Sequence, residues 1–178
     1  MPRVKEITLE EVPHELHDIY RRFSTEYGPF ANQVKIFAQR PPALKHIMGL
    51  LLDLKEEACL PQRYLEIALV VVSRINECDY CVVHHDPRLI AEGLDSETVE
   101  NILNPDCPGL NDLDCLVRDF AVQVTNTPGR IRDQMFADLR EHFTEAQIVE
   151  LVLRTALCGF FNRFNDTLQI EVEKEARV

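Results

Sequence analysis

Positive charge is what this 178-residue chain is short of. Lys and Arg number 19 against 30 Asp and Glu, a formal net charge of −11. Nucleic-acid affinity comes mainly from clustered cations that neutralise phosphates, so a nucleic-acid partner is not expected. Docking on anionic membranes is disfavoured for the same reason. Long apolar runs are missing too: the longest, Ile67 to Val72, is six residues, where a bilayer needs about 20. The opening, Met1-Pro2-Arg3-Val4-Lys5-Glu6-Ile7, has neither an apolar h-region nor a small-residue cleavage signal. These features predict a cytoplasmic protein whose thiols are kept reduced. Six cysteines then point to redox, metal or core roles rather than a disulfide framework. Internal repeats, low-complexity tracts and domain linkers are also lacking, and the length suits one domain over 1–178 with a real core.

What is present reads as helix nearly everywhere, so the expected fold class is all-α. Pro13 opens a segment, His14 to Glu26, with Leu16, Ile19, Tyr20 and Phe23 at helical spacing, and Tyr27-Gly28-Pro29 stops it. Ala31 to Gln39 follows, then Ala43 to Lys55 after Pro41-Pro42. Pro61 to Ile75 carries Leu65, Ala68, Leu69 and Val72 on one stripe, with Pro61 suited to a first turn. Its run Val70-Val71-Val72 could suggest a buried strand, but the flanks extend the segment well past strand length. Loops are expected at 104–109 and 125–129, with helices at Asp112 to Val124, Ile131 to His142 and Glu145 to Asp166. Thr144 ahead of Glu145-Ala146-Gln147 reads as a capping box. The last helix is apolar on several faces, which predicts a central position in the core or burial at a subunit interface.

The chemistry is concentrated in Asn76-Glu77-Cys78-Asp79-Tyr80-Cys81-Val82-Val83-His84-His85. Asn76 is a good N-cap, so a helix is predicted from here toward Glu92, stopped by Gly93. At about 100° per residue, Cys78, Cys81 and His85 share one face and His84 falls to the side. Cysteines at i and i+3 can close a disulfide at a helix start, the arrangement of dithiol redox sites. A thiol of pKa about 8.5 is only about 3% ionised at neutral pH, and the thiolate is the nucleophile. Lowering that pKa by about two units requires ~2.7 kcal/mol of differential stabilisation. The helix dipole can supply part of this, while Glu77 and Asp79 oppose it, so a nearby base is the expected main activator. His85 can be that base, with a carboxylate behind it to fix its tautomer. Glu66, set in an otherwise apolar helix, is the candidate.

Glu66, eleven residues, then Cys78-x-x-Cys81-x-x-x-His85, with Tyr80 inside the pair, resembles the signature of the alkylhydroperoxidase D (AhpD-like) branch of the carboxymuconolactone decarboxylase superfamily. The resemblance runs from about Ala31 to Asp166 and takes in Phe161-Asn162-Arg163-Phe164-Asn165. It implies an AhpD-like helical bundle with the CxxC at the start of a central helix. The core is then about 31–166, behind an N-terminal helical extension over 1–30. It also implies trimers or hexamers and a thiol peroxidase acting on organic hydroperoxides or hydrogen peroxide. Cys81 would attack, Cys78 would resolve, and Glu66 and His85 would relay the proton. The helix dipole favours the more N-terminal Cys78, but His85 stands one turn from Cys81. The electron donor would be a dithiol such as a lipoyl protein or thioredoxin.

Other readings stand beside these. Cys78 and Cys81 could be core thiols or half of a zinc site, although no second CxxC supplies the remaining ligands. Tyr80 and His84 could tune the site or merely pack. Cys59, Cys107, Cys115 and Cys158 read as core or loop residues, and Asn162 and Arg163 as structural. No cofactor and no metal is expected. The competing functions are a superfamily lyase, which typically lacks the CxxC, and a helical oligomer using the dithiol as a redox sensor or metal-binding element.

Overall fold

The computed structural model describes residues Met1–Lys174, and every regular element among them is helical. The α-helices are α1 (His17–Arg22), α2 (Ala31–Phe37), α3 (Pro41–Ala43), α4 (Gly49–Glu57), α5 (Gln62–Ile75), α6 (Asp79–Ala91), α7 (Ser96–Glu100), α8 (Asp112–Asn126), α9 (Asp133–Arg140) and α10 (Glu145–Leu168). The chain divides into two compact units, one of Met1–Ala58 with the segment from Phe164 onward, the other of Cys59–Arg163. No helix among the described residues is long and apolar enough to cross a membrane.

In the first unit two helices change pitch part-way. A π-helical turn, Phe23–Tyr27, continues α1, and another, Leu44–Met48, joins α3 to α4. Phe23, Val34, Leu44 and Met48 are its buried centre, and Phe37 stacks on Phe164 at 4.1 Å between ring centres. The two stretches that make up this unit are tied together. The Arg3 amide donates to the Leu168 carbonyl at 2.9 Å, and the Asn32 amide donates to the Glu173 carboxylate at 2.7 Å.

The second unit is built around α5, whose residues from Leu65 to Ser73 are all buried. Such all-round burial explains why its apolar run departs from a single stripe. The Val70–Val72 run is helical, as its flanks require. Helices α6 and α8 both pack on α5. Thr144 caps α10 as expected: its amide is bound by the Gln147 side chain at 2.8 Å, and its hydroxyl accepts from the Gln147 amide at 3.3 Å. The loop at 104–109 falls between helices as expected, whereas of 125–129 the first two residues complete α8 and Pro128–Arg130 form a 3-10 turn. Helix α7, capped by the Asp95 carboxylate on the Thr98 amide, lies where no helix was expected, because five residues offer too little periodicity to read. Of the two places expected for α10, the centre of the core or a subunit interface, the described residues do not show the first. Val149 is 64% and Phe160 40% exposed, so α5 takes the enclosed position instead.

Arg63 joins three of these helices. Its Nε and Nη2 donate to the two oxygens of Asp114 at 2.8 and 2.7 Å, and its Nη1 donates to the Glu92 carbonyl at 2.8 Å. Asp114 is wholly buried and also closes the capping box of α8 with Asn111. One guanidinium therefore holds the start of α5, the end of α6 and the start of α8. Removing it strands a buried carboxylate. Arg63→Met is expected to lower the unfolding free energy by about 3 kcal/mol. A urea-unfolding loss below about 1 kcal/mol would show that the clamp is incidental.

Candidate active site

The site begins at the turn between α5 and α6. Sequence reading made Asn76 the N-cap of the second helix; in the structure Asn76 is the C-cap of α5, and Cys78 is the N-cap of α6. The intervening Glu77 adopts φ +54°. Its amide binds the Arg74 carbonyl at 3.2 Å, and the Cys78 amide binds the Ser73 carbonyl at 3.0 Å. These are the two bonds of a Schellman turn, whose left-handed position usually holds glycine. The dithiol therefore straddles the helix start, Cys78 at the cap and Cys81 in the first turn. Gly93, at φ +94° just past α6, ends that helix as expected.

Cys78 is 0% and Cys81 3% exposed. Glu66, in the middle of α5, is 0% exposed, and its Oε2 lies 2.7 Å from Nδ1 of His85 on α6. Glu66 Oε1 accepts from Gln62 Nε2 at 2.6 Å and lies 3.6 Å from Arg88 Nη1. Burial alone would push the Glu66 carboxyl up. The charge and hydrogen bond of His85, the charge of Arg88 and the Gln62 amide together hold it below its ordinary value of 4.5. Ionised, it can only accept, so His85 Nδ1 donates, and whenever the ring is neutral Nε2 carries the lone pair. That tautomer puts the basic nitrogen on a side chain one helical turn from Cys81.

The remaining expected residues fall close by. Tyr80 and His84 are buried and pack edge-to-face, 4.6 Å between ring centres. Asp86 pairs with Arg74 at 2.6 Å, yet burial pushes its carboxyl up despite that partner. Behind the turn, Asn76 donates to Asn162 of α10 at 2.8 Å, and Ser73 Oγ lies 3.4 Å from Cys158 Sγ. Burial pushes the Cys158 thiol up to about 12, so it stays protonated at neutral pH. Cys107 is also raised by burial. Cys59 is at the surface with its Sγ 2.6 Å from the Glu150 carboxylate, Cys115 is half-buried, and Arg163 caps the Gly159 carbonyl. Among the described residues no group of three or more His, Cys, Asp or Glu is arranged to hold a metal ion. Sequence reading missed Gln62 and Arg88. The i, i+4 spacing of Gln62 to Glu66 was the available signal; nothing local marks Arg88.

Residues 41–108, which hold Glu66, Cys78, Cys81 and His85, match the carboxymuconolactone decarboxylase family. The fold matches a peroxidase-related protein with an alkylhydroperoxidase AhpD core from Ralstonia eutropha, with a TM-score of 0.80 at 22% identity over 98% of this chain and 94% of that one. The 41–108 segment is similar to that family, and the chain as a whole shares the fold of AhpD-like proteins. A peroxidase-related protein from Silicibacter is similar at a TM-score of 0.77 and 21% identity, over 98% and 94% of the two chains. The debrominase Bmp8 shares the fold as well, at a TM-score of 0.76 and 18% identity over 97% and 92%. No curated protein matches the sequence significantly.

The pair's ionisation sets a sign for acid stability. A carboxyl held below 4.5 when folded contributes stability that is fully present above that value and lost as pH falls through the folded value. Glu66→Gln should therefore flatten the fall in urea midpoint as pH drops below the ordinary carboxyl value of 4.5; an unchanged acid limb would mean that Glu66 is not ionised in the native state. Alkylation by iodoacetamide at neutral pH should leave Cys158 and Cys107 unmodified until the protein unfolds, read by peptide mass spectrometry.

Proposed function

We propose that this protein is a thiol-dependent peroxidase that reduces organic hydroperoxides or hydrogen peroxide through a Cys81–Cys78 dithiol–disulfide cycle. The observation that carries this reading is the sealed Glu66–His85 pair. It presents His85 as a base one turn from Cys81, and it stands on the same short turn as a second thiol. His85 takes the Cys81 proton, and the thiolate attacks the terminal oxygen of the hydroperoxide. The O–O bond breaks, the alkoxide takes the proton back from His85, and Cys81 becomes a sulfenic acid. Cys78 then attacks that sulfur, releasing water and forming the disulfide. A dithiol donor, a lipoyl group or a thioredoxin-type protein, restores both thiols by exchange.

The reading extends to a cytoplasmic, self-assembled enzyme. The apolar side chains that α10 leaves at the surface, Val149 and Phe160, suit an interface between copies in a trimer or hexamer. A redox sensor would use the same dithiol without turnover, so the deciding experiment measures both modification and catalysis. After mild cumene hydroperoxide treatment, mass spectrometry should find a Cys78–Cys81 disulfide in the wild type and trapped sulfenic acid at Cys81 in Cys78→Ser. Sustained peroxide loss with an added dithiol donor should fall roughly 100-fold or more in His85→Ala and vanish in Cys81→Ser. Unmodified thiols at modest peroxide excess would overturn the proposal, and a disulfide formed without turnover would replace it with the sensor.

A further inference from the structure

Glu66 has two oxygens, and the structure gives them different partners. Oε2 faces His85 Nδ1 at 2.7 Å, while Oε1 takes Gln62 Nε2 at 2.6 Å and the Arg88 guanidinium at 3.6 Å. Gln62 lies one turn before Glu66 on α5, and Arg88 lies three residues after His85 on α6, just past the proline Pro87 inside that helix. Each of the two helices thus supplies one hold on the oxygen that His85 does not use.

Two physical consequences follow. The terminal torsion of a glutamate is broad and two-fold, so a carboxylate held only by His85 could swing; two further partners on the other oxygen fix its plane. A carboxylate sealed from water also takes up a proton unless cations compensate it. A protonated Glu66 would donate its O–H to His85 Nδ1. The imidazole proton would then sit on Nε2, and His85 would lose the lone pair it needs toward Cys81. The charge on the far oxygen therefore governs the tautomer on the near side.

We infer that Arg88 and Gln62 are positioning residues for the dithiol site, Arg88 keeping Glu66 anionic so that His85 stays a base at Nε2, and Gln62 fixing the plane of the carboxylate. The inference rests on the dithiol reading above but concerns the relay before any peroxide arrives. The lowered pKa of Glu66, to which Arg88 contributes after burial and His85, agrees with it. Cys158 of α10 also lies within electrostatic reach of Glu66 but stays protonated, and Asp86, which interacts with His85, is itself paired with Arg74.

The test uses the full-length protein and no peroxide. Long-range 15N NMR of His85 reads the tautomer, and the rate of Cys81 alkylation by iodoacetamide reads the thiolate. In Arg88→Met, a population of the Nε2–H tautomer should appear at neutral pH, and Cys81 alkylation should slow about tenfold. Arg88→Lys, which keeps the charge, should restore both. Gln62→Met leaves the charge in place and should broaden the His85 signals while alkylation slows by a smaller factor. A folded Arg88→Met with unchanged His85 signals and alkylation would overturn the role of Arg88. Unaltered His85 signals in Gln62→Met would overturn that of Gln62 and remain readable if Arg88→Met failed to fold. A wild type that turned over no peroxide, yet whose Cys81 alkylation responded to Arg88→Met, would sink the peroxidase reading and leave this one standing.

Discussion

A carboxylate sealed inside a helix is the constraint around which the Cys59–Arg163 unit is organised. Glu66 sits at the middle of α5, where every neighbouring position from Leu65 to Ser73 is also buried. Ionised there, it would be costly without partners. The fold meets that cost with one amide from its own helix and two cationic or titratable groups from the next. Those two come from α6, so the interhelix packing that buries Glu66 also brings the site together. The Arg63 clamp on Asp114 and on the Glu92 carbonyl fixes the far ends of the same helices, so the packing of α5, α6 and α8 has ionic anchors at both the site and its margin.

Much of this was legible in the sequence, because it is written in local patterns. Helical periodicity located α5, α8 and α10, the Thr144 capping box marked the start of α10, and Gly93 marked the end of α6. The apolar helix around Glu66 made it a candidate, and the family resemblance paired it with His85, where spacing alone left a solvent-facing acid equally open. What escaped notice depends on contacts that no local pattern encodes. Asn76 is a good N-cap residue by type, yet its side chain is spent on Asn162, 86 positions away, and the cap falls two residues later. Arg63 and Asp114 are ordinary charges until the fold places them 2.7 Å apart. The π-helical turns at Phe23–Tyr27 and Leu44–Met48 are invisible to a 3.6-residue period by definition.

The buried polar groups behind the site show how reading by residue type can name a position and still miss its company. Cys158 and Asn162 were expected to be structural, and they are buried; but they stand in one row with Ser73 and Asn76. Such a row is stable only when its members satisfy one another. It also gives α10 a polar fit against the turn that carries Cys78, where apolar packing alone would tolerate sliding.

That turn has a kinetic meaning. With the amides of Asn76, Glu77, Cys78 and Val82 all engaged by backbone carbonyls, and with Glu77 locked in a left-handed conformation, the segment around the two thiols has little backbone slack. Whatever the sulfurs do must be done largely by rotation about their own Cα–Cβ bonds. Rotamer hops belong to the picosecond-to-nanosecond range when side chains are exposed, and are slower under packing. Loop rearrangement is slower still, so the motion this turn leaves to the two sulfurs is side-chain torsion rather than backbone movement.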